Sequence, residues 1–187
     1  MQSGSLKEFL LGKYIICACE GIAEESIIDL LLDNDKLCFK REDLVQKTCT
    51  RIRTGNKIAS EFLNQEYDKD IVILRILDRD NEKFKLPKVY RQNSRIILFN
   101  IVTKPEIEIL HIMAESLMDD FEHKRKHQKK LKPSEYYQSH FSNLNVKSKE
   151  FIVQRYANNL DELVGAILSY RNKVHQDNHY LSELLAQ

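Results

Sequence analysis

The sequence predicts an α/β fold, with a mostly parallel sheet flanked by helices and a helical C-terminal extension. Three observations carry this reading. Short apolar runs of strand length alternate with segments of helical period. The runs are apolar at consecutive positions, as expected of a sheet covered on both faces. Beyond about residue 120 the chain is polar and helical in period, with no further strand candidate. Residues 1–120 are therefore expected to form the core, and 121–187 a basic helical extension packed on the same domain.

The first strand is "YIICAC" (14–19), which ends abruptly at Glu20 and Gly21. A buried, unpaired carboxylate costs several kcal/mol, so Glu20 either lies at the surface or faces a cation. "IAEESIIDLLLDN" follows as a helix, with acids in its first turn as the helix dipole favours. "KLCF" (36–39) is a candidate short strand. A polar stretch with Arg51, Arg53 and Gly55 leads to a second helix, "NKIASEFLNQEY". "DIVILRILDRD" (70–80) is the strongest strand in the chain and ends in Asp78 and Asp80. "LPKVYRQ" is a short helix at best, and "RIILFNIV" (95–102) reads as another buried strand. "KPEIEILHIMAESLMDDF" (104–121) is expected to be one helix of about four turns, with Pro105 in its first turn. The remainder, "KPSEYYQSHF", "KSKEFIVQRYANN", "LDELVGAILSYRNKV" and "YLSELLAQ", reads as helices.

Composition sets limits. The 187 residues are 42% hydrophobic and 30% charged, enough for one proper core, and the net charge of +1 excludes a uniformly basic coat. Charge is nonetheless uneven. Residues 104–122 hold one base against six acids, and residues 123–149 hold eight bases against one acid. Such a division suits a protein that holds cations and then a polyanion, or simply two solvated helix faces. No run approaches the roughly 20 apolar residues of a membrane span, so no membrane partner is expected. The opening "MQSGSLKEFLLGK" lacks a signal-peptide core, and the four cysteines form no CxxC pair. A cytoplasmic protein with reduced thiols is expected, Cys17 and Cys19 serving as small core residues.

Parallel sheets place their sites at the carboxyl ends of the strands. Both acidic terminations, "CEG" and "LDRD", fall there. Asp78 and Asp80 are two residues apart, so their side chains can point the same way. Convergent carboxylates raise each other's pKa unless a cation sits between them. With Glu20 they make an all-oxygen set suited to Mg²⁺ or Mn²⁺. Glu106 and Glu108 could supply ligands to a second metal.

The joint pattern, strand–Glu–Gly–helix followed by strand–Asp-x-Asp, resembles the TOPRIM domain over about residues 14–118. Within that family "CEGIAEE" looks most like the small RloB and abortive-infection (AbiL-type) proteins. The resemblance implies a TOPRIM-like (Rossmann-like) core whose catalytic and metal-binding acids fall on Glu20, Asp78 and Asp80. A further glutamate of that group falls on Glu24 or Glu25, and another, three residues after a proline, on Glu108. Lys104 stands where those proteins have asparagine, which leaves Glu106 a rival to Glu108.

The resemblance implies a Mg²⁺-dependent nuclease acting on DNA, RNA or tRNA, by analogy the effector of a phage-defence or toxin-like system. The alternative is a non-catalytic TOPRIM-like subunit docking on a partner ATPase. A homo-oligomer is also open. A nuclease needs a cation for the developing charge, and the substrate-binding candidates are Lys132, Lys147 and Lys149. His111 could be a ligand or base, or a core-edge histidine. Arg79 is expected to pair with a neighbouring carboxylate. The run "HKRKHQKKLK" (123–132) could hold phosphates or be a solvated linker. Tyr136, Tyr137, Tyr156 and Tyr170 could stack on bases, although helical spacing favours packing.

Overall fold

A computed structural model describes residues 5–79, 84–141, 144–174 and 178–186; Asp80 lies outside the described residues. Three strands, β1 (Tyr14–Cys19), β2 (Ile71–Leu77) and β3 (Ile96–Val102), form a parallel sheet in the order β1-β2-β3. Ile16 stands beside Ile73, and Ile73 beside Leu98. The helices are α1 (Leu6–Leu10), α2 (Ile22–Asp33), α3 (Gly55–Ile58), α4 (Lys88–Arg91), α5 (Ile109–Ala114), α6 (Met118–His127), α7 (Pro133–His140), α8 (Lys149–Tyr156) and α9 (Leu160–Lys173).

Why β1 and β2 are so apolar, with Arg75 the one charged residue between them, is visible in their two faces. Ile15, Cys17 and Cys19 join Val72, Leu74 and Ile76 in the larger core, packed with residues of α2, α5, α7, α8 and α9. Ile16, Ala18, Ile71 and Ile73 face a smaller core with Val45, Ile58, Phe62, Leu63 and Leu86. Every residue of β2 is buried, as expected of the middle strand. β3 differs from expectation. It is an edge strand, buried only at Ile101 and Val102, and Leu98 is 39% exposed. At its buried end the chain returns alongside, and the Val102 amide donates to the His179 carbonyl at 2.9 Å.

The other edge is covered by the long β1–β2 connection. Leu44 pairs with Ile15 and Thr50 with Ala18 in isolated parallel bridges, which removes a free edge beside β1. α3 then passes directly into a π-helical turn, Ala59–Leu63. Gly55 opens α3 where the backbone at Lys85 crosses it; a Cβ there would lie 2.2 Å from the Lys85 carbonyl oxygen.

Two elements correct the sequence reading. Residues 36–39 form no strand; the Cys38 amide instead donates to the Leu184 carbonyl, and Leu37 makes a single antiparallel bridge with Leu185. The expected four-turn helix over 104–121 is two helices, α5 and α6. They are divided at Ser116, whose φ is +57°. Pro105 is not in the first turn of either. Residues 103–108 are turns whose polar groups are committed elsewhere: the Thr103 amide donates to the Leu77 carbonyl, and the Ile107 amide to Asp78. No helix among the described residues is long and apolar enough to cross a membrane.

Candidate metal and phosphate site

The Glu20 amide extends the parallel ladder by donating to the Ile76 carbonyl at 3.1 Å. That last rung aims the side chain across the end of β2, where Glu20 Oε2 accepts from the Asp78 amide at 3.0 Å. Asp78, the first residue past β2, in turn accepts from the Ile107 amide through Oδ1 at 3.0 Å. The two strand-end acids are therefore tied to each other and to the turn that delivers Glu108, which precedes α5 and is buried. Glu24 comes from the first turn of α2, also buried, and lies close enough to Asp78 for its charge to act on it. Gly21 clears the way, since a Cβ there would stand 3.0 Å from Glu24 Oε2.

Four carboxyl groups thus meet at the carboxyl ends of β1 and β2. Burial pushes Asp78 up to about 8, and the charges of Glu24 and Glu108 add to it. Burial likewise pushes Glu108 up to about 7, against the lowering effect of Lys147. Lys147 Nζ lies 3.7 Å from Glu108 Oε2 and 3.1 Å from Glu106 Oε1. Burial opposes its charge, but the two glutamates prevail and raise its pKa.

Glu106 and Glu108 separate in role. Glu106 turns towards α7, where Oε2 accepts from Ser134 Oγ at 2.7 Å and from the Ser134 amide at 3.3 Å. Those bonds and Lys147 outweigh burial and lower its pKa. Glu108 faces the cleft, and its Oε2 is buried with no hydrogen-bond partner among the described residues, only the Lys147 ammonium at 3.7 Å. Hard oxygen donors with a buried, unsatisfied carboxylate oxygen suit a divalent cation of the Mg²⁺ or Mn²⁺ class. Among the described residues, no three of these carboxylates bring oxygens within 4.8 Å of one another.

Around this acidic floor lies a cleft of about 960 Å³ with a cationic rim. Arg51 pairs with Glu25 at 3.2 Å, and the Arg53 guanidinium donates to the Glu20 carbonyl. Lys149 stands at the first position of α8 and lines the same cleft as the two arginines. In the sequence Arg51 and Arg53 stand out only as part of a polar stretch. What brings them here is the pairing of Thr50 beside β1, a contact without a local signal.

Of the expected site residues, Glu20, Asp78, Glu108, Lys147 and Lys149 line this cleft. Lys132 does not. It sits before α7, its amide bonded to Glu135, and lines a separate shallow groove with Lys129 and Lys130. His111 is a core residue: Nδ1 meets the Tyr156 hydroxyl at 2.7 Å, and Tyr137 and Phe151 pack around the ring. Burial lowers its pKa to about 4, so it is neutral. Tyr136, Tyr137, Tyr156 and Tyr170 are all buried, which leaves packing as their role.

Comparison of the chain with protein-family models, curated proteins and solved structures gave no significant match.

Proposed function

We propose that this chain is a Mg²⁺- or Mn²⁺-dependent nuclease of the TOPRIM type, hydrolysing phosphodiester bonds of RNA or DNA. One observation carries the reading. Glu20, Glu24, Asp78 and Glu108 converge at the strand ends, with Asp78 and Glu108 pushed up to about 8 and about 7. Clustered acids displaced this far from their ordinary values by burial and by one another, in a cleft, mark a candidate functional site. Glu20, Asp78 and Glu108 would hold the cation, joined by Asp80 on the resemblance already described. When bound, the cation polarises the scissile phosphate and lowers the pKa of a water.

The remaining residues act through charge and position. Arg51, Arg53 and Lys149 draw the phosphate backbone across the cleft and fix the scissile group over the acids. Lys147 reaches the same acids from the C-terminal segment and balances negative charge as it develops on the phosphate oxygens. Glu24 adds its negative charge beside Asp78 and strengthens the pull of the site on a cation.

The test is cleavage of single-stranded RNA, tRNA and duplex DNA with Mg²⁺ or Mn²⁺. Glu20→Ala and Asp78→Asn are expected to abolish cleavage while the proteins remain folded by circular dichroism. If the wild type cleaves none of the three with either ion, the reading fails and a docking subunit takes its place.

A further inference from the structure

Behind Glu20, on the face of the sheet that α2 covers, three sulfur atoms converge. Cys17 and Cys19 flank Ala18 on β1, so their side chains leave the same face. Beside them the Thr50 amide donates to the Cys17 carbonyl at 2.9 Å, and the Cys19 amide donates to the Thr50 carbonyl at 2.8 Å. That exchange pairs Thr50 with Ala18 on one face and turns Cys49 to the face of Cys17 and Cys19. The three Sγ atoms all lie within 4.8 Å of one another. Cys17 and Cys19 are about 1% exposed, and Cys49, at 8%, is the least covered. The fourth cysteine, Cys38, is half-buried and outside the cluster.

We propose that Cys17, Cys19 and Cys49 form a three-coordinate site for one thiophilic monovalent cation of the Cu(I) class. Thiol ligands select soft ions. A structural zinc site wants four ligands, and no fourth Cys, His, Asp or Glu among the described residues closes to the same distance. Small core cysteines are common as packing groups, but packing alone asks for no convergence of three sulfurs from two separate segments. The entering ion displaces thiol protons to solvent and keeps its oxidation state, so the step needs no oxidant or reductant. The occupied site would clamp the segment carrying Arg51 and Arg53 to the strand that ends in Glu20.

The experiment titrates the reduced full-length protein anaerobically with Cu(I) in competition with a chromogenic Cu(I) chelator. One equivalent should leave the chelator, with a thiolate-to-copper ultraviolet band and a raised melting temperature. Cys49→Ser should weaken binding at least tenfold, whereas Cys38→Ser should leave it unchanged. Cys19→Ala, which keeps a small apolar group in the core, should weaken binding likewise and covers the case in which the serine variant does not fold. The proposal is overturned if the wild type takes no copper from the chelator or if Cys38→Ser loses it equally. Retention of Zn(II) in preference to Cu(I) at the same three cysteines would also overturn it.

Discussion

At Asp78, burial and the three neighbouring carboxylates of Glu24, Glu108 and Glu20 push in one direction, and the carboxyl reaches about 8 against an ordinary aspartate near 4. A carboxyl whose pKa is raised on folding binds more protons folded than unfolded. Its stability contribution is therefore intact below the unfolded value and lost as pH rises towards the folded one. Metal-free protein should lose on the order of a few kcal/mol between about pH 4 and pH 8. Asp78→Asn keeps the oxygen that accepts from the Ile107 amide and removes the charge. That variant should be stabilised at pH 8 without metal, and its stability should vary less with pH. Mg²⁺ should stabilise the wild type by RT ln(1 + [L]/Kd), about 2.7 kcal/mol at a hundredfold excess over Kd, and the variant much less. Urea melts at several pH values, with and without Mg²⁺, check all three. A variant much weaker than the wild type in metal-free buffer would make Asp78 a structural cap.

Elements divide into those with a local signal and those decided by contacts distant in sequence. β1 and β2 were legible because six- and seven-residue apolar runs bounded by polar residues are too short for a helix and fit strands buried on both faces, and their acidic ends followed. The edge position of β3 was not, because "RIILFNIV" is as apolar as a central strand and only pairing order exposes Leu98. The break between α5 and α6 was hidden for a related reason: residues 104–121 keep a helical period across Ser116. The choice between Glu24 and Glu25 needed the start of α2, which turns Glu24 inward and leaves Glu25 to Arg51. Gly55 shows an element-scale constraint that composition does not reveal. Gly55→Ala forces a Cβ onto the Lys85 carbonyl, a rigid backbone atom. Overpacking of this kind costs roughly 1–3 kcal/mol, so the denaturation midpoint in urea should fall with the slope unchanged. An unchanged midpoint would mean that residues 84–86 yield freely.

Across the whole molecule the positive charge is divided between two surfaces, and the division makes a kinetic prediction. Arg51, Arg53 and Lys149 rim the acidic cleft, whereas Lys129, Lys130 and Lys132 line a separate groove before α7. Sequence alone grouped Lys132 with Lys147 and Lys149, because all belong to one basic stretch; folding sends Lys147 to Glu106 and Glu108 and leaves Lys132 outside. A phosphate contact at either surface adds about one unit to the salt slope of binding, since each releases condensed counterion. Only the cleft cations stand where they can fix the scissile phosphate over Asp78 and Glu108. Replacing Arg51, Arg53 and Lys149 together by alanine should flatten the salt dependence and also lower kcat by at least tenfold. Replacing Lys129, Lys130 and Lys132 together should flatten the salt dependence and raise KM, with kcat within about twofold, as expected for loss of uniform binding. Steady-state cleavage at several salt concentrations separates the two. A fall in kcat from the second triple variant equal to that from the first would place the scissile phosphate at the groove before α7, and the cleft would lose its role in holding the substrate.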